Sequence, residues 1–262
     1  MNAKNRVNTN TEEAARRAGP PQASAAPSGG SEPREAGNVG ALRKIALFDL
    51  DHTLVPFDSD YEWNEFTITL GWRDGVEFRR LNAGFFEQYK AGTLDLHDYV
   101  RFATSAIREQ GAPNSIAAHA RFMRAVVQKG IKKEALDLVR QHADAGAEVV
   151  IVTATNEFVT RPIADAFGVK NLIAVELERD MQGQLTGEIK GTPSFREGKV
   201  VRVTEWLATR GLDWDGVETW FYSDSMNDLP LLDKATYPVA TNPDDRLRAL
   251  AKERGWRILD LF

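Results

Sequence analysis

Short apolar runs alternating with helical spacing constrain this chain more than any other feature. Candidate strands lie at 44–49, 147–153, 172–177, 217–223 and 236–240. The second reads Ala147-Glu148-Val149-Val150-Ile151-Val152-Thr153, a largely β-branched run of the kind that suits a strand buried on both faces. The segments between have a period near that of an α-helix. Over 131–145, for example, Ile131, Ala135, Leu138, Val139 and His142 share one face. Apolar strands separated by helices predict an α/β fold built on a parallel sheet that is covered on both sides.

One interval breaks the rhythm. From 56 to 130 only helical spacing occurs: Trp63, Phe66 and Leu70, then Phe78, Leu81, Phe85 and Tyr89, then Leu96, Tyr99, Ala103 and Ile107. A block of this length without strand character reads as an inserted all-helical cap domain, with the aromatic stripe as its core. Ahead of the first strand, no Leu, Ile, Phe, Trp or Tyr occurs before Leu42, and Ala, Gly, Pro and Ser abound. Such a segment cannot bury enough apolar area to offset its ordering entropy. The expected organisation is a disordered tail over 1–41, an α/β core formed by 42–55 and 131–262, and a helical cap over 56–130. Gly183 and Gly187 in Met181-Gln182-Gly183-Gln184-Leu185-Thr186-Gly187 add a small hairpin or flap beside the sheet.

Composition narrows the function classes. A net charge of -5 over 262 residues argues against nucleic acid or an anionic membrane as the main partner. The absence of cysteine excludes disulfides, thiolate metal sites and a Cys nucleophile, and fits a reducing cytoplasm. No apolar run approaches the roughly 20 residues that a membrane span needs. The N-terminus lacks the apolar centre of a signal peptide. The chain is therefore expected to be cytoplasmic, with a small metabolite as partner.

The first strand ends in Leu47-Phe48-Asp49-Leu50-Asp51-His52-Thr53-Leu54. Two carboxylates at the end of a buried strand repel one another, and burial adds to the cost unless a positive charge offsets it. In open parallel sheets ligands sit outside the carboxyl ends of the strands. Thr153 ends a second strand there, while Asp224 and Asp228 follow a third in Tyr222-Ser223-Asp224-Ser225-Met226-Asn227-Asp228. Carboxylates gathered from separate strands suit a hard cation such as magnesium. Residues two apart on an extended strand point the same way, so Asp49 and Asp51 share a face. One such carboxylate can attack phosphorus while the other moves protons, provided that the phosphoryl charge is neutralised.

Asp49-Leu50-Asp51-His52-Thr53 resembles the Asp-x-Asp-x-Thr signature of the haloacid-dehalogenase superfamily. Together with Thr153 and Asp224-x-x-x-Asp228 in the same order, the likeness covers Arg43 to the C-terminus. The helical insert resembles the cap of the phosphoserine-phosphatase-like branch (subfamily IB). Asp58-Ser59-Asp60-Tyr61-Glu62-Trp63 and Val152-Thr153-Ala154-Thr155-Asn156 look most like its bacterial histidinol-phosphatase-like members. The resemblance implies a Rossmann-like core and a magnesium-dependent phosphomonoesterase with an aspartyl-phosphate intermediate, acting on histidinol phosphate in histidine biosynthesis. It makes Asp49 the nucleophile and Asp51 the general acid and base. Asp49, the backbone carbonyl of Asp51 and Asp224 would hold magnesium, supported by Asp228. Thr153, Ala154 and Lys199 would bind phosphate, with Asn227 and Asp58 on the substrate side.

Plainer readings exist for each residue. Asp224 could open a turn, Asp228 could sit in a first helical turn, and Lys190 competes with Lys199 as the cation. Asp58 and Asp60 could be surface carboxylates. The four histidines show no ligand spacing and are expected to have no catalytic role. Thr153-Ala154-Thr155 and Ser223-Asp224-Ser225 replace the Ser-Gly-Gly and Gly-Asp-Gly usual in phosphoserine phosphatases, so phosphoserine ranks second as substrate. An amine-bearing substrate suits Asp58 or Asp60, although Arg79, Arg80 or Arg101 in the insert could serve a carboxylate. A sugar-phosphate mutase would keep the same Asp pair. A phospho-acceptor signalling module would lack the insert.

Overall fold

The computed structural model describes residues 42–262; the tail expected over 1–41 lies outside the described residues. The chain begins with β1 (Arg43–Phe48), followed by α1 (Ser59–Thr69), α2 (Gly75–Ala91), α3 (Leu96–Ala103), α4 (Ser105–Phe122), a π-helical turn at Met123–Val127 and the short α5 (Gln128–Gly130). Next come α6 (Lys133–Asp144), β2 (Glu148–Asn156), α7 (Glu157–Ala166), β3 (Asn171–Val175), β4 (Leu177–Arg179) and β5 (Leu185–Ile189). The remainder is α8 (Glu197–Ala208), β6 (Val217–Ser223), α9 (Leu229–Lys234), β7 (Tyr237–Thr241), α10 (Asp245–Arg254) and β8 (Arg257–Leu259).

Six strands form one parallel sheet in the order β3-β2-β1-β6-β7-β8. β1 occupies the middle because it is apolar on both faces. Ala46 and Phe48 enter one core, and Ile45 and Leu47 the other. The same period of two divides β2, with Ile151 on the first side and Val150 and Val152 on the second. α6 and α7 cover the first face through Leu138, Val139, Val159 and Ile163. α8, α9 and α10 cover the second through Val203, Leu207, Leu231 and Leu247. The predicted α/β fold is therefore the one that forms. Strand order reverses at β1, between β2 and β6, and a crevice opens at such a switch point.

The strand predictions differ from the structure in three places. The run 172–177 divides, because β3 ends at Val175 and Leu177 opens β4, which pairs antiparallel with β5. That hairpin is the flap signalled by Gly183 and Gly187, whose φ values are 78° and 94°. β2 continues past Thr153 to Asn156, with a register shift against β3. β8 has no counterpart among the predicted strands, since three residues at a sheet edge are too short for an alternation to register.

Between 56 and 130 the chain is helical and contains no strand. Its entry and exit touch: a Cβ on Gly130 would stand 2.3 Å from the Phe57 ring, so only glycine allows this approach. Asp58, Asp74 and Asp95 cap α1, α2 and α3 by accepting backbone N–H bonds in the first turn. The aromatic stripe divides, since Phe78, Phe85 and Tyr99 pack with Phe102 inside the insert. Fully buried Trp63 and Phe122 join the core under α6 and α7, where Trp63 meets Phe158 edge-on at 5.6 Å. Val100 of α3 packs instead on the hairpin, against Leu177 and Ile189.

The first helix of the insert also turns a carboxylate inward. Asp60 is buried, accepts a bond from Asn156 Nδ2 at 3.2 Å and is hydrogen-bonded to Tyr99. Burial, aided by the charge of Asp58, pushes its carboxyl up to about 7. Between the ordinary carboxyl range and that value, the folded protein keeps a proton that the unfolded chain has released. Asp60 therefore makes stability fall as pH rises through this window. For the Asp60→Asn protein, urea unfolding between pH 5 and pH 7 should show a shallower decline, by up to about 1.4 kcal/mol per pH unit. Parallel declines in the two proteins would show that Asp60 does not hold this proton.

Candidate active site

Asp49 follows the last residue of β1, and its amide donates to the Tyr222 carbonyl of β6 at 2.9 Å. The parallel ladder thus fixes the backbone on which the nucleophile candidate sits. Opposite it, Lys199 rises from the first turn of α8. The residue is 1% exposed, and its ammonium donates to Asp49 Oδ1 and Asp228 Oδ2, each at 2.7 Å. Burial pushes the ammonium pKa down, but the charges of Asp228 and Asp49 outweigh it and hold the proton on. Lys190, the competing lysine, is exposed and stands 3.8 Å from Glu176. Gly198 makes the approach of α8 possible, because a Cβ there would lie 2.1 Å from the Pro193 carbonyl oxygen.

Thr53 stitches the first motif to the third. Its hydroxyl donates to Asp224 Oδ1 at 3.1 Å, lies 3.4 Å from Asp49 Oδ2 and accepts from the Asp224 amide at 3.0 Å. Asp224 is pushed well above the usual carboxylate range by burial and then by the charges of Asp49 and Asp228. Asp228 is buried and accepts from Ser223 Oγ at 2.7 Å as well as from Lys199. Burial raises its carboxyl to about 6 against the opposing pull of the lysine.

Asp51 is held from two sides. The Ser59 amide, at the start of α1, donates to Oδ1 at 2.9 Å, and Thr155 Oγ1 donates to Oδ2 at 2.7 Å. Burial, then the charge of Asp58, raises Asp51 well above the usual range, which outweighs these bonds. A carboxyl that holds its proton more firmly than usual suits general-acid work. Thr153 accepts from the Thr155 amide at 3.1 Å through its hydroxyl oxygen. The hydroxyl proton of Thr153 is therefore free for a ligand.

All nine residues singled out from the sequence line one cavity of about 410 Å³: Asp49, Asp51, Asp58, Thr153, Ala154, Lys199, Asp224, Asn227 and Asp228. Asp58 has a structural task too, since its Oδ1 caps α1 by accepting from the Tyr61 amide at 2.8 Å. Asn227 is engaged at the edge, with Arg196 Nε donating to its Oδ1 at 3.2 Å. Thr155 and Ser223, inside the quoted motifs, and Arg196, three residues before Lys199, escaped the sequence reading. Phe85, Tyr89, Leu96 and Tyr99, expected as packing residues of the insert, line the cavity. His52 lines it as well, with φ at 56°, and Asp244 joins from the loop after β7.

The donor set fits magnesium. Asp49 and Asp224 face a shared neighbour in Thr53, and the charge of Asp49 adds to the cost of charging Asp224. Hard oxygen donors under uncompensated negative charge attract a small divalent ion. Among the described residues no three His, Asp or Glu side chains form a closed cage. Magnesium does not require one, because it keeps several waters and takes one or two carboxylates.

The comparisons agree with this geometry. The model of the haloacid dehalogenase-like hydrolase family matches residues 46–233. A histidinol-phosphatase of Neisseria meningitidis serogroup C (strain 8013) is 38% identical over 220 residues, covering 84% of this chain and 99% of the relative. A solved protein of unknown function from Bordetella pertussis Tohama I superposes with a TM-score of 0.80 at 48% identity, covering 85% of this chain and 100% of that one. A substrate-bound phosphoserine phosphatase shares the fold, with a TM-score of 0.59 at 18% identity over 83% of this chain and 92% of its own. The chain belongs to the haloacid dehalogenase-like hydrolases, among the phosphatases of that family.

Proposed function

We propose that this protein hydrolyses a small phosphate monoester with a cationic leaving group, most specifically histidinol phosphate, in the cytoplasm. One observation carries the reading. Six carboxylates line the cavity (Asp49, Asp51, Asp58, Asp224, Asp228 and Asp244) against a single lysine, Lys199. That lysine is already committed to the phosphate end. Phosphoserine would bring its own carboxylate into this acidic space, whereas an amine and an imidazole are attracted to it. The insert arginines do not relieve the imbalance. Arg79 pairs with Glu65, Arg80 with Glu77, and Arg101 with Asp98 and Glu188; none of the three lines the cavity. The histidinol-phosphatase of Neisseria meningitidis, alike over nearly its whole length, supports the same choice.

The residues divide the work as follows. The Asp49 carboxylate attacks phosphorus, forming the aspartyl phosphate as the bond to the leaving oxygen breaks. Asp51 gives its proton to that oxygen. The resulting Asp51 carboxylate then takes a proton from water, which attacks phosphorus, frees Asp49 and releases inorganic phosphate. Lys199 and the Thr153 hydroxyl, with the Ala154 amide, hold the phosphoryl oxygens. Asp49, the Asp51 backbone carbonyl and Asp224 would bind magnesium, whose positive charge lowers the repulsion between carboxylate and phosphate. Asp228 and Ser223 keep Lys199 in place. The helical insert serves as the cap, excluding water and contacting the leaving group through Tyr99 and Asp58.

Two substitutions test the reading. Asp49→Asn should abolish phosphate release from histidinol phosphate, phosphoserine and p-nitrophenyl phosphate alike; turnover near the wild-type rate would remove Asp49 as nucleophile. Asp58→Asn keeps a good helix cap but removes the charge. It should raise KM for histidinol phosphate about 10- to 100-fold, the worth of one charge-assisted bond. The kcat for p-nitrophenyl phosphate, which has no cationic group, should stay within about twofold. Equal losses on both substrates would assign Asp58 a structural role only.

A further inference from the structure

The segment leading into α8 holds a side chain in a conformation that residues other than glycine rarely adopt. Arg196 has φ 52° and ψ −123°, three residues before Lys199, whose amide donates to the Arg196 carbonyl at 3.0 Å. Such strain persists only where surrounding contacts over-determine it. The contacts here span two parts of the molecule. Arg196 Nη1 donates to the carbonyl of Gly92, the residue that ends α2 in the insert, at 3.0 Å. Its Nε donates to Asn227 Oδ1 beside the active site at 3.2 Å, and its guanidinium lies 4.9 Å over the Phe195 ring.

A second bridge runs beside the first. Tyr89, one turn before the end of α2, has its hydroxyl 3.2 Å from Ser225 Oγ and hydrogen-bonded to the Asn227 side chain. Ser225 passes the connection inward. Its amide donates to Ser223 Oγ at 3.1 Å, and Ser223 Oγ donates to the same Asp228 oxygen that receives the Lys199 proton. An unbroken chain of hydrogen bonds thus joins the end of α2 to the ammonium that faces Asp49.

We propose that Arg196 is a positioning residue that locks the end of α2 onto the 224–228 loop and so holds Lys199 in register with Asp49 and Asp228. The role in turnover rests on Lys199 serving the phosphoryl group as proposed above, whereas the lock itself does not depend on the substrate. Gly92 fits the arrangement, because it ends α2 at φ 75° and a Cβ there would stand 3.0 Å from Arg196 Nη2. A larger residue there would crowd the guanidinium.

Arg196→Gly in the full chain separates positioning from folding, since glycine takes this backbone conformation freely. The expected result is a Tm within about 3 °C of the wild type. With it should come a kcat on p-nitrophenyl phosphate lower by about tenfold and faster amide hydrogen exchange at 88–92. Tyr89→Phe should give a similar loss, and the double variant should lose no more than the worse single one, as residues in one network do. A kcat within about twofold of the wild type would overturn the proposal, and so would additive losses. Activity lost together with a general rise in exchange would reduce Arg196 to a folding role. Exchange unchanged at 88–92 overturns the lock whatever the enzyme hydrolyses. Wild-type turnover of p-nitrophenyl phosphate without turnover of histidinol phosphate sinks only the substrate reading, and the lock is then judged on its own results.

Discussion

The buried ammonium of Lys199 between Asp49 and Asp228 is the interaction on which the rest of the site depends. Neither the lysine nor the carboxylates could be buried alone, because an isolated charge in the interior is expelled or neutralised. Two contacts at 2.7 Å on one ammonium make the burial tolerable and fix the distance between β1, α8 and the loop after β6. Breaking such a group by removing one member typically costs roughly 3–5 kcal/mol, since the other charges stay behind. The arrangement therefore couples folding to chemistry. The cation that orders the acids in the resting protein is also the one proposed to hold the phosphoryl oxygens.

The helical insert is bound to this centre by polar contacts. The start of α1 donates to Asp51 through the Ser59 amide, and Asp60 meets Asn156 at the end of β2, three residues beyond Thr153. The end of α2 reaches Ser225 and Arg196. Apolar packing ties the insert to the sheet elsewhere, through Trp63 and Phe122 on one side and Val100 on the other. The start of α1 thus touches the ends of β1 and β2, and the end of α2 touches the loop after β6. This is how a cavity lined by groups from both can keep its shape.

Much of this was legible in the chain. The unbroken apolar runs of β1 and β2 reported a sheet buried on both faces, because neighbouring residues must enter different cores. The nine residues read as functional lie around one cavity, because β1, β2 and β6 are adjacent and their carboxyl ends form one edge. The misses share a physical cause. Thr155 and Arg196 act through hydrogen bonds to partners 104 residues away, Asp51 and Gly92, which no local pattern encodes, and Ser223 matters only because its partner Asp228 also holds Lys199. Tyr89 and Tyr99 have the spacing of core aromatics, and only the packing of the insert decides that they face a cavity.

The residues alone determined the α/β class, the strand-end placement of the acids and their need for positive charge, since these follow from periodicity and from the cost of burying like charges. Tertiary structure decided which lysine supplies that charge, because Lys190 and Lys199 are chemically identical and differ only in what surrounds them. It also decided the sign of the cavity. Arg79, Arg80 and Arg101 could have faced inward, but each finds an acidic partner outside the cavity, leaving six carboxylates around one ammonium. Charge along a chain is fixed by composition, whereas the field inside a cavity depends on which charges the fold brings together.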